Sequence, residues 1–174
     1  MELIKGSDPR LKEMCPEFNF ETGVTLDDGT VLKAKELYEL LRDKMIEHKG
    51  VGLSACQLGI MTRVFVIGSP TDPASVIGVF NPLIVDYDEQ TVVYEEGCIS
   101  YPGMFIKIKR PRGIRARYRG WDGEIGTARY EGYTARVFQH EYDHLNGITF
   151  QSRANRYHLE QARNNKSKMD KKRA

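Results

Sequence analysis

The sequence predicts an α+β fold in which a few helices pack with antiparallel strands. Three observations carry this. Two stretches repeat apolar residues at helical intervals, the middle of the chain alternates and turns as strands do, and 174 residues with 40% hydrophobic content supply one core without an internal repeat.

The first helix is expected in TVLKAKELYELLRDKMIEHKG, where Ala34, Leu37, Leu40, Leu41 and Met45 share one face and Gly50 is the natural stop. Strands follow in TRVFVIG, VIGVFNPLIVDY, TVVYEEG, MFIKIKR and GIRARYRG, separated by Gly and Pro. Alternation in the last two places Lys107, Lys109, Arg115, Arg117 and Arg119 on one side of an expected hairpin, a solvated outer face, with Ile106, Ile108, Ile114 and Tyr118 on the other. Tyr133 to Leu145 reads as a helix, since Ala135, Val137 or Phe138, and Tyr142 recur at its period and Gly147 closes it. A last helix is expected to begin at Asn155 as N-cap and to fade into the tail NNKSKMDKKRA. Residues 1–150 are taken as the catalytic body and 151–174 as a C-terminal helix and basic tail of the same domain.

Charge is concentrated at that end. From Gln151 onward eight Lys or Arg stand against two acids, a net +6 that leaves −4 for the preceding residues of a +2 chain. A solvated tail or a basic contact surface both follow from this. No apolar run approaches the roughly 20 residues needed to cross a bilayer, and the opening MELIKGSDPR is too polar for a secretory signal, so a cytoplasmic protein is expected. Three widely spaced cysteines argue against a disulfide framework.

The chemistry is concentrated in QHEYDHLNG. On a helix, positions i and i+4 share a face, so His140 and His144 can offer two imidazole nitrogens to one metal ion, with Glu141 placed beside them as a base for water. A hydrolytic centre usually needs a third protein ligand. Candidates are His158 and Glu160 downstream, or Cys98 in EEGCISYPG, which follows an expected strand and precedes a short turn. In GVGLSACQLG no Lys-Ser or Lys-Thr follows the glycines, which disfavours a phosphate loop; Gly50 and Gly52 can let an extended ligand lie close to the backbone, and Gln57 is the polar donor of the run.

Together GVGLSACQ, EEGCIS and QHEYDHLNG, with DPRL near the start, resemble the signature motifs of the peptide deformylases, and ARVFQHEYDHL is closer to the plant-organelle branch. The resemblance implies antiparallel strands wrapped round the histidine helix, and removal of the formyl group from N-formylmethionyl chains. It assigns the metal to Cys98, His140 and His144, acid and base duty to Glu141, and the oxyanion site to Gln57 and the backbone N–H of Ile99. Substrate binding falls to Val51, Gly52, Gly97, Tyr133, Arg136 and Val137, with the Arg136 head expected in water and its stem along the methionine pocket. It implies ferrous iron as the ion, with zinc, nickel or cobalt as substitutes, and a monomer whose basic tail contacts the ribosome. Arg110 is expected to pair with Glu96 or Asp143. A zincin-like endopeptidase and a binding module with a structural metal are the competing readings.

Overall fold

The computed structural model describes residues 1–173. A short antiparallel pair, β1 (Val24–Thr25) and β2 (Val31–Leu32), leads into α1 (Ala34–Glu47), whose Leu37, Leu41 and Met45 are fully buried. Glu36 caps the start by accepting the Lys33 N–H at 2.8 Å. The stop comes one residue earlier than Gly50: Lys49 adopts the left-handed conformation (φ 54°), its N–H bonds Ile46 O at 2.9 Å, and the Gly50 N–H bonds Met45 O at 2.9 Å. This pair of bonds satisfies the last carbonyls of the helix, with lysine standing where glycine is usual.

Five strands, β3 (Gly52–Ser54), β4 (Val64–Ser69), β5 (Asp72–Tyr87), β8 (Gly113–Arg119) and β9 (Ile125–Glu131), form an antiparallel sheet in that spatial order. Separately, β6 (Thr91–Gly97) and β7 (Phe105–Pro111) pair in register from Thr91–Pro111 to Gly97–Phe105. The expected hairpin between MFIKIKR and GIRARYRG therefore does not form. Its alternation is correct, with Ile106, Ile108 and Ile114 buried and the five basic residues outward, but the two strands belong to different sheets.

Helix α2 (Gly132–Leu145) packs against β3, β4, β8 and β9, so strands enclose the histidine helix. Phe138 anchors it: its ring meets Phe65 of β4 edge-on at 5.0 Å and Tyr130 of β9 at 5.2 Å. A short α3 (Phe150–Arg153) precedes α4 (Arg156–Arg173). Asn155 caps α4 as expected, its Oδ1 accepting the His158 N–H at 2.8 Å. The helix does not fade at the basic tail. It continues to Arg173, with Lys166 and Asp170 paired at 2.8 Å one turn apart. Ala162 docks it against Met104, Ile106, Ile108 and Phe150. No helix among the described residues is long and apolar enough to cross a membrane.

Candidate metal centre

Three side chains from two segments converge on one point. Cys98 follows β6 at the start of a turn, and His140 and His144 lie one turn apart on α2. The ligand atoms of all three lie within 4.8 Å of one another, and Cys98 Sγ is 3.4 Å from His144 Nε2. His140 Nδ1 is 3.1 Å from Glu96 Oε2. A carboxylate there accepts the Nδ1–H, which leaves Nε2 with a free lone pair toward the site. One thiolate and two imidazoles so placed are a fitting donor set for a single divalent ion. His158 and Glu160 are not in this group. They lie on α4, where Glu160 pairs with Arg156 at 2.9 Å, and it is Cys98 that stands with the two histidines. All three cysteines are free.

Behind His140 lies a buried ionic cluster. Arg110 grips Glu96 with Nε at 2.6 Å and Nη2 at 2.9 Å, and reaches Asp143 with Nη1 at 2.7 Å, so it pairs with both expected acids. Arg136 is a correction. Its head is not in water: the residue is 3% exposed, and Nη1 bonds Glu96 Oε1 at 2.6 Å while Nη2 bonds Val92 O at 2.8 Å. The reason is a carboxylate 40 residues away in sequence that two guanidiniums share. Burial alone raises Glu96, but hydrogen bonds from His140 and Arg110 outweigh it and hold the carboxyl at about 2.

Glu141 sits at 4% exposure, and burial raises its pKa above the ordinary carboxylate value. Ser54 fixes its direction by donating to Oε2 at 2.6 Å. The carboxylate lies so close to β3 that a Cβ on Gly52 would stand 2.6 Å from Oε1, which only glycine avoids. Gln57 is held similarly: its Oε1 accepts the Ser54 N–H at 2.8 Å, and its Nε2 turns toward Ser100 Oγ (3.2 Å) and Cys98 Sγ (3.4 Å). Ser54 and Ser100 were not singled out in the sequence, although a serine inside the apolar run GVGLSACQ is the kind of buried polar group that needs a partner.

All of this opens onto a cavity of ≈ 420 Å³. Gln57, Cys98, Ile99, His140 and Glu141 line it, His144 stands behind, and the six expected substrate residues Val51, Gly52, Gly97, Tyr133, Arg136 and Val137 complete its walls. Phe105, Lys49 and His48 reach its mouth as well, positions that sequence reasoning did not assign.

The family model described as polypeptide deformylase matches residues 1–160. The chain belongs to the polypeptide deformylase family. Its activity is therefore the metal-dependent hydrolytic removal of an N-formyl group, and an endopeptidase reading is not favoured. A peptide deformylase from Thermotoga sp. strain RQ2 is 45% identical over 114 residues, covering 66% of this chain and 68% of that protein. Peptide deformylase 1B, chloroplastic, of Oryza sativa subsp. japonica is 32% identical, covering 99% of this chain and 61% of its own length. The crystal structure of peptide deformylase from Plasmodium falciparum superposes with a TM-score of 0.83 at 29% identity, covering 98% of this chain and 96% of that one. The α+β deformylase fold agrees with these relatives, and a plant-organelle deformylase is among them.

Proposed function

We propose that Cys98, His140 and His144 hold the divalent ion, that Glu141 carries the proton, and that Gln57 with the Ile99 N–H receives the oxyanion. The observation that carries this reading is the convergence of three ligand atoms beside a buried carboxylate, all facing one cavity. When bound, the ion polarises the formyl carbonyl and lowers the pKa of a water molecule. Glu141, its basicity raised by burial and its direction fixed by Ser54, takes the proton from the attacking water and returns it to the leaving amine. Gln57 Nε2 points at the sulfur ligand's side of the cavity, and the Ile99 N–H makes no hydrogen bond with any described residue. The Ile99 N–H is thus free for a developing negative charge, Gln57 Nε2 exchanges its Ser100 or Cys98 contact to reach it, and one such donor is worth about 100- to 1000-fold in rate.

Substrate reading follows from the walls. β3 is the edge of its sheet and β6 has one free side, so Gly52 and Gly97 border the cavity on open strand edges, next to Val51, whose carbonyl is taken by the Gly68 N–H at 3.1 Å. A formylmethionyl chain can lie extended between them, with the methionine side chain against Tyr133, Arg136 and Val137. The cluster on Glu96 gives Arg136 the task of holding the carboxylate that orients His140, while its stem still lines the cavity.

The thiolate and imidazole set suits several ions. We take ferrous iron as resident, on the family resemblance, with zinc, nickel or cobalt able to replace it; metal analysis of protein prepared without oxygen tests this. A monomer in the cytoplasm is the proposed state. The exposed basic residues of α4, among them Lys168, Lys171 and Lys172, support a salt-sensitive ribosome contact. The deciding assay is formate release from formyl-Met-Ala-Ser. Wild type is expected to turn over and Cys98→Ala to lose both metal and activity, whereas Cys98→Ala with normal turnover would remove the cysteine from the centre.

A further inference from the structure

Two of the three free cysteines have no part in the proposed chemistry, and the fold brings them together from distant parts of the sequence. Cys15 belongs to the N-terminal segment, and Cys56 to the short 3₁₀ helix Ala55–Leu58 that also carries Gln57. Both meet the end of α2 at neighbouring carbonyls. The Cys15 N–H donates to Leu145 O at 2.9 Å, and the Cys56 thiol donates to His144 O at 3.7 Å. Both side chains are buried in one apolar cluster with Leu11, Phe138 and Leu145, and the two thiols lie within hydrogen-bonding reach of each other. Neither lines the substrate cavity.

We propose that Cys15 and Cys56 are a redox pair, which hydrogen peroxide joins in a reversible disulfide tying the N-terminal segment to the turn that carries Gln57. Cys15 is the sulfur that reacts first. Its neighbours Lys12, Glu13, Met14 and Pro16 are all exposed, so its thiol lies just beneath the surface. That strip of chain is held by an isolated bridge from Met14 to Asn146 and by the Arg63 N–H on Pro16 O at 2.8 Å. Local opening of so few bonds admits a small oxidant without unfolding the core. The Cys56 thiol, and after it the Arg63 guanidinium, favour thiolate at Cys15 against the opposing effect of burial. This thiolate attacks peroxide and the O–O bond breaks; one oxygen stays on sulfur as sulfenic acid and the other leaves as water. When the segment closes again, the Cys56 sulfur displaces the sulfenic oxygen, which takes the thiol proton and leaves as a second water. Two thiols and one peroxide thus give one disulfide and two waters, the sulfur pair losing two electrons.

A link between residues 15 and 56 restricts the unfolded chain, so the oxidised protein should melt about 5–10 °C higher than the reduced one. The experiment exposes nickel-loaded protein to hydrogen peroxide, with Cys98 held on the metal, then alkylates the remaining thiols and maps joined peptides by mass spectrometry. Melting is followed on the same samples. The expected result is a peptide pair joining Cys15 to Cys56, about 2 Da lighter than the sum of its reduced parts. Dithiothreitol should dissolve both this pair and the rise in Tm, and Cys15→Ala or Cys56→Ala should prevent both. The wild-type map decides the matter even where a variant folds poorly. Peroxide that leaves both thiols open to alkylation overturns the pair, as does passage of Cys15 to sulfinic acid without a link, or a link from Cys56 to Cys98 instead. A link between Cys15 and Cys56 with unchanged Tm overturns the tether.

Discussion

Helices α2 and α4 use the same four-residue spacing of polar side chains for opposite ends. In α2 the pair is His140 and His144, both buried, and nine residues of that helix are buried. In α4 the pairs are Arg156 with Glu160 and Lys166 with Asp170, on a helix whose buried residue is Ala162. Spacing creates neighbours in both. Burial decides what neighbours are worth: the interior pair needs further groups to hold its orientation and charge, while the surface pairs exchange freely with water.

The sharpest way to break the contrast is to remove the carboxylate on which the buried side depends. Glu96→Gln leaves Arg110 and Arg136 facing a neutral amide and frees the His140 ring. Stability should fall by about 3–5 kcal/mol and metal affinity by about 10- to 100-fold, read by denaturant titration and by competition with a chelator. The same group sets an acid limit. Its folded pKa of about 2 lies below the ordinary 4.5, so its stabilising contribution is complete above pH 4.5 and is lost as pH falls toward 2. Glu96→Gln should flatten stability across that window.

A smaller effect comes from moving the base without discharging it. Gly52→Ala puts a methyl group 2.6 Å from Glu141 Oε1, and displacement of the carboxylate should cost about 100-fold in kcat with the metal retained. Unchanged kcat would show that Glu141 has room to shift and that its position is not set by β3.

On the surface side, Lys166→Ala or Arg156→Ala should change stability by no more than about 0.5 kcal/mol, and less at high salt. A loss comparable with that of Glu96→Gln would erase the distinction between the helices.

The contrast also explains what was legible in the sequence. Strand β6 and helix α2 were readable almost to the residue, because their signals are local: alternation bounded by glycine, and a helical stripe closed by Gly147. β9 went unseen because Ile125–Glu131 leaves no residue fully buried and so carries little apolar pattern. The pairing of β7 with β6 rather than β8 was hidden for a different reason, since both partners alternate equally well and register is settled by what each face packs against. At the site, the histidines and Glu141 announced themselves by spacing. The buried fate of Arg136 did not, because it depends on Glu96 and Val92, which only the folded chain brings near. Ser54 was quiet for the same reason, its partner Glu141 lying 87 residues away.

The central claim is that Glu141 moves the proton while Cys98, His140 and His144 hold the ion. It is tested most directly by measuring metal content and formate release on the same preparation of Glu141→Gln. The amide keeps the shape and the Ser54 contact but not the basicity, so the prediction is an unchanged metal-to-protein ratio with kcat lowered by at least about 100-fold. Parallel loss of metal and activity, or turnover close to wild type, would contradict the account.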